Sequence, residues 1–156
     1  MYFWNIKKLK ADLIKRPMTD KETIPYLIAT SLLYLATQFV PKSAHFNALD
    51  YLELAISVLS IVVGTLWLYQ QNKADAGQQF VQRYLALGWV VFIRVAVVMF
   101  PIMAAMMTIL SLTGLANLDT NVKSWHDIIL IIIFTLINYW YLGKQMSEVA
   151  EKATKF

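Results

Sequence analysis

The chain has 156 residues, room for one compact domain, and 58% of them are hydrophobic, above the roughly 45–50% typical of soluble domains. It contains no cysteine, which excludes disulfides, thiolate metal sites, cysteine nucleophiles and thiol redox chemistry. The net charge of +4 comes from cations placed mainly beside apolar runs, a placement that reads as membrane orientation and headgroup contact rather than nucleic-acid binding.

At the start of the chain, Tyr2, Ile6, Leu9 and Leu13 recur at helical spacing, joined by Phe3, Trp4 and Ile14, with Lys7, Lys8, Lys10 and Asp12 opposite them. This pattern predicts an amphipathic interfacial helix over 2–16, lying in the cytoplasmic headgroup layer and setting the tilt of the first span. Pro17 ends it. Thr19 and Glu22 have capping-box spacing, and Pro25 fits a first helical turn, so the bend into the next helix is expected to be fixed. No cleavable signal is expected, because the first apolar run ends Gln38–Phe39–Val40–Pro41 and not at a small-residue site.

Four runs then approach the roughly 17–25 residues that a membrane crossing needs: 24–40, 51–70, 85–112 and 125–143. The first carries no charge, the second only Glu53, the third only Arg94 and the fourth only Asp127. The segment 72–84, with Asp75, Gly77, Phe80 and Arg83, reads as a turn followed by a cytoplasmic extension of the third helix. The tail 144–156 has neither Pro nor Gly and should continue the fourth. The predicted fold is therefore an all-α integral membrane protein, a single membrane domain over 1–156. It is a bundle of four transmembrane helices preceded by the amphipathic helix.

Cation placement orients it. Residues 1–23 hold Lys7, Lys8, Lys10, Lys15, Arg16 and Lys21; the segment after the second span holds Lys73 and Arg83; the tail holds Lys144, Lys152 and Lys155. Those eleven face only Lys42 and Lys123 on the other side, so both termini are expected in the cytoplasm. Trp67, Tyr69, Trp125, Tyr139, Trp140 and Tyr141 fall where interfacial aromatic anchors belong. The pattern is that of a small multi-pass protein of a bacterial inner membrane.

Arg94 is the outstanding residue. At the centre of a span an arginine costs roughly 2.5–3.5 kcal/mol on insertion scales. Arg94 lies about 14 Å beyond Leu85 at the rise of an α-helix, near mid-membrane on this reading. The expected surroundings are a polar layer of Ser60, Thr135 and Asn138, with Ser57 nearby, or water. The residue is then either a hydrogen-bonded strut or the lining of a pore or anion site. Pro101, one heptad on, removes a backbone donor and predicts a kink. Ser60 and Gly64 have the spacing that allows close helix approach. His45, Glu53, His126 and Asp127 form a polar cluster expected on the outer face. They lack the tight spacing of metal ligands, so no metal or other cofactor is expected. No HExxH, GxSxG or intramembrane carboxylate pair points to catalysis.

These features predict a non-enzymatic inner-membrane protein acting through helix–helix assembly with itself or a partner, as a complex subunit or an immunity or defence-type protein. The lipid bilayer and a second membrane protein or copy are its expected partners, with no nucleic acid. The alternative is a small homo-oligomeric channel or carrier with Arg94 and the Pro101 kink lining the path.

Overall fold

A computed structural model describes residues 1–38, 47–73, 79–113 and 125–153. They form five helices: α1 (Ile6–Lys15), α2 (Asp20–Gln38), α3 (Ala48–Gln71), α4 (Phe80–Leu112) and α5 (Trp125–Ala153). Three of them, α3, α4 and α5, are long and apolar enough to cross a membrane. Over its described length α2 is less apolar, because it opens on Asp20, Lys21 and Glu22; the expected span 24–40 runs past the described residues.

Local chemistry sets the helix ends. The Asn5 side chain accepts from the Lys8 N–H at 3.0 Å and caps α1, which stops at an extended Arg16 before Pro17. Glu22 accepts from the Thr19 N–H at 3.0 Å and takes the Arg16 guanidinium through both oxygens, at 2.9 and 2.5 Å. The corner between α1 and α2 is thus fixed, as the sequence implied, although Pro25 falls in the second turn of α2 and not the first. Asn47 and Asp50 form a reciprocal capping box at the start of α3. α4 begins at Phe80, which gives the third span its expected extension, and α5 continues without a break through the described part of the tail. α4 stays helical through Pro101, which is exposed, so the missing donor does not end the helix.

Among the described residues the long helices lie in an open row, α3–α5–α4–α2, rather than a closed four-helix bundle. The rings of α3 and α5 seat on each other's glycines, Tyr139 over Gly64 and Trp67 over Gly143, so these two helices run parallel. α4 runs antiparallel to α5, with Gly88 against Leu142 and Phe92 edge-to-face with Phe134 at 6.0 Å. Among the described residues α2 and α3 occupy opposite ends without extended contact. The place a fourth neighbour would fill is taken on one side by α1, which packs on both α4 and α5.

This contact changes the expected role of α1. Its buried stripe, Ile6, Leu9 and Leu13, faces protein instead of lipid, joining Ala86, Leu87, Val90, Val91, Met146 and Val149 in one core. Trp4 meets Arg94 at one end of the segment and Met18 meets Gln79 at the other, so residues 4–18 stand along α4 in the opposite direction. Lys10 and Glu148 tie α1 to α5 at 2.5 Å. Among the described residues the main core holds one half of the molecule, with Ile128 and Leu130 near the start of α5 buried apart from it. Beyond Val95, α4 exposes Val97, Val98, Phe100, Ile102, Ile109 and Leu112, with Phe100 at 75% and Leu112 at 83%. Leu9 is wholly buried, so Leu9→Ala should lower stability by about 2–4 kcal/mol in thermal unfolding in detergent, whereas Lys8→Ala, on the exposed side, should leave it unchanged.

Candidate functional site: the Arg94 clasp

Arg94 projects from α4 at the boundary between the packed half and the exposed apolar half. Its guanidinium does not reach Ser60, Thr135 or Asn138. Nε and one terminal nitrogen donate to the Trp4 carbonyl at 3.0 and 2.7 Å, and the other terminal nitrogen donates to the Tyr141 hydroxyl at 3.4 Å. The Trp4 ring lies 5.3 Å from the guanidinium carbon, within cation–π range. The acceptor is therefore a main-chain carbonyl ninety positions away in sequence, carried by the segment that precedes α1.

That segment is a strap across the α2–α4 face. The Tyr2 N–H donates to the Tyr26 hydroxyl at 2.7 Å, Phe3 meets Trp89 edge-on at 6.3 Å, and the Tyr2 hydroxyl donates to the Asp12 carboxylate. This last bond raises the Tyr2 pKa by favouring the protonated phenol. Beside the strap an open cleft of about 410 Å³ is lined by Arg94, Trp4, Val98, Met99, Ile137 and Tyr141 among others.

The remaining polar candidates separate into other places. Thr135 and Asn138 line a groove of about 430 Å³ between α2, α4 and α5, together with Tyr34, Tyr84, Trp89 and Phe92. The Asn138 Nδ2 and the Trp89 Nε1 there are buried without a hydrogen-bond acceptor among the described residues. Ser60 lies with Gly64 and Thr135 in a cleft of about 400 Å³ between α3 and α5, and Ser57 is half-buried on α3 outside these clefts. Glu53, His126 and Asp127 are half-buried near the starts of the parallel helices α3 and α5, while His45 lies outside the described residues. Among the described residues no three His, Asp or Glu side chains converge as metal ligands would.

A second arginine, which the cation count alone places on the basic side, matters for packing. Arg83 is 5% exposed and donates to the Asn72 side-chain oxygen at 2.9 Å, joining the start of α4 to the C-cap of α3. The signal was present in the spacing: Arg83, Ala86, Leu87 and Val90 share one helical stripe.

The corner carries a large pKa displacement. The Arg16 guanidinium foremost, then the Thr19 N–H and hydroxyl, pull Glu22 down from 4.5 to about 2. A depressed carboxylate contributes stability fully above its unfolded pKa and loses it as pH falls through the folded value. The unfolding profiles of wild type and Glu22→Gln should therefore differ above pH 4.5 and converge as pH falls towards about 2. Convergence already complete at the unfolded value would disprove the pairing.

Three helices long and apolar enough to cross a membrane, one of them carrying the clasped arginine, give the class, a helical membrane protein. No protein-family model, curated protein or solved structure matches the chain, so its geometry carries the functional reading.

Proposed function

We propose that this is a four-span, non-enzymatic component of a bacterial inner membrane, with both termini cytoplasmic. It works by helix–helix assembly with another copy or a partner membrane protein, as a complex subunit or an immunity or defence-type protein. The observation that carries this reading is the asymmetry of packing. One half holds a closed core built mainly by α1, α4 and α5, while in the other half, among the described residues, α3 and α4 leave most of their apolar side chains exposed, with Ile128 and Leu130 of α5 buried. The eleven-to-two cation bias puts the packed half on the cytoplasmic side. The fourth span of this proposal is the expected 24–40, which α2 covers as far as Gln38.

On this topology Arg94 is not a mid-membrane charge. The stretch from Arg94 to Leu112 is 19 residues of helix, about 28 Å, close to the thickness of a hydrocarbon core. The guanidinium then sits at its cytoplasmic edge, where the Trp4 carbonyl and the Tyr141 hydroxyl offset the desolvation that a central arginine would suffer. A strut so engaged favours assembly over conduction. The test is molar mass in mild detergent alongside anion flux from liposomes. Assembly predicts an oligomer or a stoichiometric partner and no flux. A partnerless monomer would sink the assembly reading, and flux abolished by Arg94→Gln would establish a channel instead.

A further inference from the structure

We propose that the Arg94 cleft binds the phosphate of an anionic phospholipid of the cytoplasmic leaflet, with one acyl chain lying along Val98, Met99 and Ile137. The guanidinium has five N–H donors, and three are engaged, two by the Trp4 carbonyl and one by the Tyr141 hydroxyl. Both acceptors are neutral. Among the described residues no carboxylate pairs with Arg94, in contrast to Lys10, Arg16 and Lys152, which have Glu148 or Glu22. The positive charge is thus held in place but not neutralised, and two N–H donors are left over. Fixed planar donors of this kind match phosphate oxygens in pairs.

The surroundings select a lipid over a free anion. The cleft of about 410 Å³ lies within the roughly 300–1,000 Å³ range of small-molecule sites, and its wall beyond Arg94 is aliphatic: Val98, Met99 and Ile137. Val98 is 58% exposed, so the wall opens sideways towards the bilayer rather than into the protein. On the other side the cleft is lined by Trp4, 51% exposed, whose neighbours along the chain are the exposed Phe3, Lys7 and Lys8. Aromatic rings and lysines at that level belong in a layer of anionic headgroups, while aliphatic side chains next to them belong in the acyl region. A phosphodiester at Arg94 with its chain directed along α4 satisfies both. It also completes the charge balance that the chain leaves open.

The full-length chain reconstituted in equimolar phosphatidylcholine and phosphatidylglycerol, then extracted in mild detergent, gives a direct count of retained lipids per chain by native mass spectrometry. That readout is independent of oligomeric state, so it stands or falls separately from the assembly reading. Wild type should retain phosphatidylglycerol over phosphatidylcholine by about tenfold, the scale of one charge-assisted contact. Arg94→Gln should bring the ratio near parity, and Arg94→Lys should keep part of it. Val98→Phe, which leaves the guanidinium untouched and fills the acyl path, should also lower retention. If Arg94→Gln does not fold, as judged by a dispersed gel-filtration profile, the Val98→Phe result decides. Equal retention of the two lipids by wild type, undiminished preference in Arg94→Gln, or undiminished phosphatidylglycerol retention in Val98→Phe overturns the proposal. Displacement of phosphatidylglycerol by added inorganic phosphate overturns the lipid assignment and leaves a soluble-anion site.

Discussion

Gly143→Leu should separate α3 from α5 and cost about 3 kcal/mol or more, read as a lower melting temperature and loss of monodisperse protein in detergent. A Cβ at Gly143 would lie 2.2 Å from one carbon of the Trp67 indole and 2.3 Å from the next, far inside contact distance. Gly64 faces the same problem with Tyr139, whose ring would be 2.3 Å from an added Cβ. The two contacts are reciprocal: each helix offers a glycine to the other's aromatic ring, so neither ring can retreat without unseating its partner. In an open helical position a glycine-to-leucine change would stabilise by up to about 1 kcal/mol through propensity alone. The sign of the effect therefore isolates the clash. Combining Gly143→Ala with Trp67→Leu should recover most of what Gly143→Ala loses. A Gly143→Leu protein that melts like wild type would show that the aromatic-on-glycine seat does not hold these helices together.

Asn72→Leu should cost about 3 kcal/mol, because it strands a buried cation. Arg83 is buried beside the C-cap of α3, and its Nε already lacks an acceptor among the described residues. The Asn72 side-chain oxygen at 2.9 Å is the contact that the guanidinium makes there. Removing it leaves the charge desolvated, whereas removing the charge as well does not. The double variant Asn72→Leu/Arg83→Met should thus be markedly more stable than Asn72→Leu alone, and a double-mutant cycle in thermal unfolding measures the difference. If the two losses simply add, the arginine draws its support from elsewhere.

Helix positions were readable from the sequence because they rest on periodicity and on local hydrogen bonds. Long apolar runs with a single charge each located α3, α4 and α5, and Thr19 with Glu22 announced the fixed corner. The spacing of Ile6, Leu9 and Leu13 gave the face of α1 but not what covers it, since lipid and protein are equally apolar to such a stripe. For Arg94, composition signalled that a charge in an apolar segment needs support. It could not name the support, because a backbone carbonyl has no identity in sequence and Trp4 lies outside every span. Choosing Ser60, Thr135 and Asn138 as partners assumed that depth along a helix decides contact. Their distribution between two other clefts shows that the helix face decides it.

The sequence alone determined an apolar helical chain with a basic side and an arginine out of place, since hydropathy, charge and spacing are properties of the chain itself. Only the tertiary structure decided that the described helices form an open row, that α1 stands against α4 and α5, and that the Trp4 carbonyl and the Tyr141 hydroxyl clasp the arginine. Those outcomes depend on which faces meet and on bonds between residues ninety positions apart, and neither is encoded in any local pattern.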